Sequence, residues 1–282
     1  MRRGIRVEPG GSAGVGPRAS GVVLLAALGL FVGVAARADD PWELASDNSP
    51  NGWNMLRHGV VQRGHDLQGT AVAPDLDWMK IVTKARHSYE ARVSGMYWDD
   101  GCSFAPCPRF DRVDTAGVVL TAGTASSEDV DSGASTIGRT VRWIADAGAP
   151  GRLLATGDRF VALGPDSVYD VVYYDTTLFV PRWNNAATQT TVLLLQNTTD
   201  AVVTGSVYFH DATGALLATV PVDVPPQGVQ VLTTGSIPAL AGQSGSAQIA
   251  QLGGYAALAG KAVALEPATG FTFDTLVTPV PR

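Results

Sequence analysis

Apolar and polar residues alternate in this chain with a period of two, and beyond residue 38 no stretch keeps apolar residues at helical spacing over three turns. A period of two is the repeat of a strand with one face buried. In "SYEARVS" (88–94) Tyr89, Ala91 and Val93 fall on one side, Glu90 and Arg92 on the other. "VTGSVYFH" (203–210) likewise groups Val203, Gly205, Val207 and Phe209. Turn sequences stand between such runs: "DDG" (99–101), "DSG" (131–133), "GPD" (164–166), "DATG" (211–214), "PPQG" (225–228) and "GQSG" (242–245). Gly and Asn accept positive φ there, and Pro presets the first turn position. Recurrence at about 8 to 12 residues is the spacing of sandwiches, each of which needs about 100 residues. The expected fold is therefore all-β, with two consecutive antiparallel β-sandwich domains over residues 39–178 and 179–282. Their seam falls between Asp175 and Trp183, where "YYDTTLFVPRWNN" ends one strand series and opens the next.

Residues 1–38 stand apart. Arg2, Arg3, Arg6 and Arg18 precede an apolar core from Gly21 to Val34, and Ala36-Arg37-Ala38 supplies the small residues of a cleavage site. That core is shorter than the roughly 20 apolar residues a membrane-spanning helix requires. The segment reads as a cleaved signal peptide, and the product as secreted, periplasmic or extracellular, with no membrane span in the mature chain. Removing it takes away five Arg and one Glu and moves the formal charge from −6 to −10. Phosphate backbones and anionic lipid surfaces repel such a chain, and the sequence shows no local basic patch, so nucleic acid is excluded as a partner.

The order of the first series, "HDLQGTAVAPDLDWMKIVTKARHSYEARVSG", then "TVRWIADAGAPGRLLATGD" and "SVYDVVYYD", resembles the bacterial pre-peptidase C-terminal domain over about residues 58–175. That family shows an Asp-x-Asp-Trp-like entry, an alternating Tyr-led strand and a closing Tyr-x-Val strand, here Tyr169, Val171 and Tyr173. The resemblance implies a small β-sandwich appended to secreted bacterial proteins, serving secretion, anchoring or substrate contact. The chain departs from the pattern at "YWDDGCSFAPCPRF" and "TASSEDVDSGAST". The second series, from "TQTTVLLLQNTTDAVVTGSVYFHDATGALLATV" onward, resembles Ig-like or fibronectin-type modules of secreted bacterial proteins at the level of fold, and a fold hosts many functions.

Catalytic motifs are missing. His58, His65, His87 and His210 are scattered, with no His-Glu-x-x-His pair for zinc. "GQSGS" (242–246) lacks the second Gly of a nucleophile elbow, and Asp114-Thr115 and Asp274-Thr275 are not followed by the Gly of an acid protease. Dispersed triads escape such a search, because geometry defines them. A secreted hydrolase with a dispersed site is therefore the alternative reading.

Three sets of residues are candidates for a site. Cys102 and Cys107, the only cysteines, bracket a short loop, and in an oxidising compartment such a pair reads as a disulfide. Asp75 and Asp77, with Asp129 and Asp131, are candidate calcium ligands, although Asp also initiates turns by bonding its own backbone. No other cofactor is implied. Pro74 marks an entry into a strand, with Asp75 as turn former and Asp77 as the last polar residue before Met79 and Ile81 turn inward. Trp98, Trp183 and Tyr174 are candidate ligand-contact aromatics, while Trp53, Trp78 and Trp143 read as core. "NTT" (197–199) reads as a strand-ending turn. Together these features suggest a non-catalytic module for binding, anchoring or accessory work on an extracellular protein or polysaccharide.

Overall fold

This computed structural model describes residues 47–67, 75–97, 109–126, 136–156 and 168–281. The chain is all-β, its strands paired antiparallel in four sheets, and the described residues contain no α-helix. The first half comprises β1 (Val61–Asp66), β2 (Leu76–Thr83), β3 (Ser88–Tyr97), β4 (Arg109–Val113), β5 (Val119–Thr121), β6 (Thr124–Ser126), β7 (Thr136–Ile144), β8 (Ala149–Thr156) and β9 (Val168–Asp175). They form the sheets β1-β9-β3-β7-β6 and β2-β8-β4-β5. The second half comprises β10 (Leu178–Asn184), β11 (Thr190–Asn197), β12 (Val203–Asp211), β13 (Leu216–Val224), β14 (Val229–Thr233), β15 (Ser244–Gln251), β16 (Leu258–Glu266), β17 (Phe271–Leu276) and β18 (Thr278–Pro279). They form β13-β12-β15-β10-β18 and β14-β11-β16-β17.

Each pair of sheets encloses its own apolar cluster. The first draws on Met79 and Ile81 of β2, Tyr89, Ala91 and Val93 of β3, Val141 and Trp143 of β7, and Tyr169, Val171 and Tyr173 of β9. Its centre is aromatic: Tyr89 stacks on Tyr173 with centroids 5.6 Å apart and on Trp143 at 5.4 Å. Both phenols keep a polar partner, as buried hydroxyls must. Tyr89 Oη accepts from the Lys84 amide at 2.6 Å, and Tyr173 Oη donates to the Val82 carbonyl at 3.1 Å. Burial drives both phenol pKa values upward, for Tyr173 helped by neighbouring Tyr89 and Asp175. The second cluster centres on Val207, Phe209, Leu195, Ile249 and Trp183, with Phe209 edge-on to the Trp183 ring at 5.7 Å.

The aromatic assignments divide. Trp78 and Trp143 are buried, but Trp53 is 86% exposed, which corrects the reading of it as core. The segment bearing Trp53 lies along the edge of β2: the Leu56 amide donates to the Lys80 carbonyl and the Lys80 amide to the Asn54 carbonyl. Along it Asn54 and Leu56 turn inward and Trp53 and Met55 outward, so the period of two that buries one neighbour exposes the other. The Lys80 ammonium lies 5.7 Å from the Trp53 ring centroid.

Candidate binding surfaces

Asp77 lies inside the first sandwich. β2 begins at Leu76, so Asp77 shares the inward face with Met79 and Ile81 and is 1% exposed. The sequence reading makes Asp77 the last polar residue before the inward run, and the structure puts it within that run. Its Oδ2 accepts the hydroxyl of Tyr169, on whose ring His65 stacks at 5.3 Å. Asp75 directly precedes β2, its Oδ1 accepting the Leu76 amide at 3.0 Å. Among the described residues no three His, Cys, Asp or Glu side chains are grouped so as to hold a metal ion. Asp129, Asp131, Cys102, Cys107 and Trp98 lie outside the described residues.

Trp183 is 1% exposed. Its indole N–H donates to the Ser246 carbonyl at 2.9 Å, and the residue borders an open cleft lined also by Arg182, Asp211 and Ser244. Asp211 is a turn group there: Oδ1 takes the amides of Thr213 and Ala215 and the Thr213 hydroxyl. Hydrogen bonds from Thr213 and Ala215 hold its carboxyl below the usual range.

Tyr174 sits at the junction of the two sheet systems, and a set of polar residues not anticipated from the sequence surrounds it. The strand β9 leaves one sandwich at Asp175 and β10 enters the other at Leu178, through Thr176 and Thr177. Asp175 and the two connecting residues are all buried. The Thr176 amide donates to the Ser88 carbonyl and the Ser88 amide to Thr177 Oγ1, at 2.8 and 3.0 Å. Asp175 Oδ2 lies 2.8 Å from His87 Nδ1, and its amide donates to His58 Nδ1 at 2.9 Å, which places the His58 ring proton on Nε2. Burial pushes the Asp175 carboxyl up, but the hydrogen bonds from His87 and Thr177 outweigh it and leave the pKa lowered.

Beside this segment Glu90 is fully buried on the outer face of its sheet, where Tyr174 of β9 and Arg142 of β7 are its cross-strand neighbours. Arg92 Nε donates to Glu90 Oε1 and Arg142 Nε to Oε2, each at 2.6 Å. The turn between β15 and β16 covers the carboxylate. Gly254, with φ +96°, is so close that a Cβ there would overlap Glu90 Oε2. From the same turn Tyr255 stacks on Tyr174 at 4.8 Å, with His58 at the edge of both rings and the Arg92 guanidinium 5.6 Å from the Tyr174 centroid. Gln248 and Gln251 of β15 complete the junction by donating to the carbonyls of Arg86 and Thr176.

Glu90 and Arg92 were legible as the outer face of a strand, but their neighbours were not. Arg142 is 52 positions from Glu90 and Tyr255 is 81 from Tyr174, separations that no local pattern records. The structure thus assembles a basic and aromatic cluster where the linear sequence shows no basic patch. No family model, curated protein or solved structure matches the chain.

Proposed function

We propose that this is an exported, non-catalytic β-sandwich protein whose work is to bind or anchor, acting on an extracellular surface, polymer or secreted protein. In this reading residues 39–178 are a module like the pre-peptidase C-terminal domain and residues 179–282 an Ig-like module. The observation that carries it is the buried connection at Asp175–Thr177, which is hydrogen-bonded to Ser88 and ties the second sandwich to the first. The groups best suited to acid–base chemistry also serve the architecture: Asp77 takes the Tyr169 hydroxyl, His87 meets Asp175, and Glu90 joins two arginines.

The test is a glycan and matrix-protein array probed with the purified chain, run beside turnover assays on pooled peptides, esters and glycans. Saturable retention of a ligand without turnover is expected. Turnover that survives further purification overturns the proposal in favour of a hydrolase with a dispersed site.

A further inference from the structure

We propose that the junction of the two sandwiches is a binding site for a saccharide bearing a single carboxylate, such as a uronic acid unit on an otherwise neutral glycan. The inference rests on the binding-module reading and names the ligand class for it. Its basis is a mismatch of charge at Glu90. One fully buried carboxylate is shared by two guanidiniums whose side chains remain 39% and 41% exposed, so the trio carries a net positive charge at the surface. Each arginine reaches Glu90 through Nε alone, and the Nη groups of both have no protein partner among the described residues. Glu90 therefore holds two partly exposed guanidiniums by their Nε edges, and their Nη donors are not used by any described residue. Guanidinium edges of this kind are matched to a carboxylate, which accepts two parallel hydrogen bonds.

The surroundings select the rest of the ligand. A further ion pair on this face, Arg63 with Asp170, is closed on itself at 3.0 Å. Among the described residues the Glu90 trio thus supplies one unbalanced positive charge and suits one anionic group. A polyanion would meet that single charge on a chain whose formal charge is −6, and its remaining charges would be repelled. Tyr255, half-exposed and stacked on Tyr174, adds a flat aromatic ring next to the Tyr174 ring that the Arg92 guanidinium covers. Such a surface fits the face of a pyranose ring, whereas a peptide carboxylate brings no ring to lie on it. The cluster is complete only when both sandwiches are present, since β3, β7 and β9 supply Glu90, Arg92, Arg142 and Tyr174, and the β15–β16 turn supplies Tyr255.

The experiment titrates the full chain by ligand-observed NMR with a glucuronate-terminated disaccharide, its neutral glucose-terminated counterpart, and N-acetylalanine as a carboxylate without a sugar ring. Saturable binding of the acidic disaccharide is expected, with weaker binding of the other two. Arg142→Lys and Arg92→Lys keep a cation opposite Glu90, and so the fold, but remove the paired donors of the guanidinium. Each is expected to weaken the acidic disaccharide roughly tenfold with an unchanged melting curve, and Tyr255→Ala to weaken it several-fold. Equal affinity for N-acetylalanine would mark a peptide-carboxylate site, and equal affinity for the neutral disaccharide a site blind to charge; either overturns the proposal. So does an absence of saturable binding, or binding that both Lys variants leave unchanged. A partner found on the array whose retention these variants do not alter would refute this site alone, whereas turnover would refute the module reading.

Discussion

At the scale of single residues, the junction concentrates side chains whose roles depend on neighbours far away in sequence. Glu90 is the plainest case: alternation in "SYEARVS" puts it opposite Tyr89 and Ala91, which is correct, yet it is not solvated, because a turn of the second sandwich lies on it. A buried carboxylate that loses its partners costs about 3–5 kcal/mol, so Arg92→Ala combined with Arg142→Ala is expected to lower stability by that order in denaturant melts. Gly254 is constrained twice, by its positive φ and by contact with Glu90. Gly254→Ala should therefore cost more than the about 1–3 kcal/mol of backbone strain alone. Gly214, with φ +88° but no described atom within 4 Å of where a Cβ would stand, supplies the control, and Gly214→Ala should cost the smaller amount. Asp175 adds a pH dependence. Its folded pKa is depressed, so the stability it contributes is full above the unfolded value near pH 4 and is lost as pH falls through the folded one. Melting temperature against pH should accordingly show a shallower acid limb in Asp175→Asn than in the parent chain.

At the scale of elements, strands were the legible part. The inward faces of β3 and β12 agree with the alternation, Tyr89, Ala91, Val93, Val203, Val207 and Phe209 all being buried. "DATG" forms the turn between β12 and β13 with Gly214 at positive φ, while in "PPQG" it is Gln227, at φ 53°, that takes the left-handed conformation. Asn197 ends β11 as "NTT" suggested, its amide donating to the carbonyls of Ala201, Val224 and Pro225. What alternation does not encode is which outer face acquires a cover. Trp53 and Trp183 show the difference: equal in composition, one stands on an edge segment with its ring in solvent and the other at the base of β10 against Phe209. Trp183→Ala is expected to cost about 3–5 kcal/mol and Trp53→Ala to stay within about 0.5 kcal/mol, a contrast that paired urea melts will read. The inward position of Asp77 was missed for a related reason, since an inward Asp becomes tolerable only when the Tyr169 hydroxyl, 92 residues on, reaches it.

At the scale of the whole molecule, both sheet systems belong to one compact unit, Ala38–Arg282. Two apolar clusters would ordinarily suggest two independent melting events. The buried segment between them adds hydrogen bonds on both sides, together with the carboxylate shared under Gly254, so disturbing either sandwich exposes polar groups of the other. Scanning calorimetry of the full chain is expected to give one transition whose calorimetric and van't Hoff enthalpies agree, and two resolved transitions would show the junction to be weak. The same buried segment has a consequence for lifetime. A protease needs an extended, accessible stretch of backbone, and the place where multidomain chains are ordinarily nicked is here closed at Asp175–Thr177, so cleavage at this joint must wait for a global opening and its rate should follow the unfolding equilibrium.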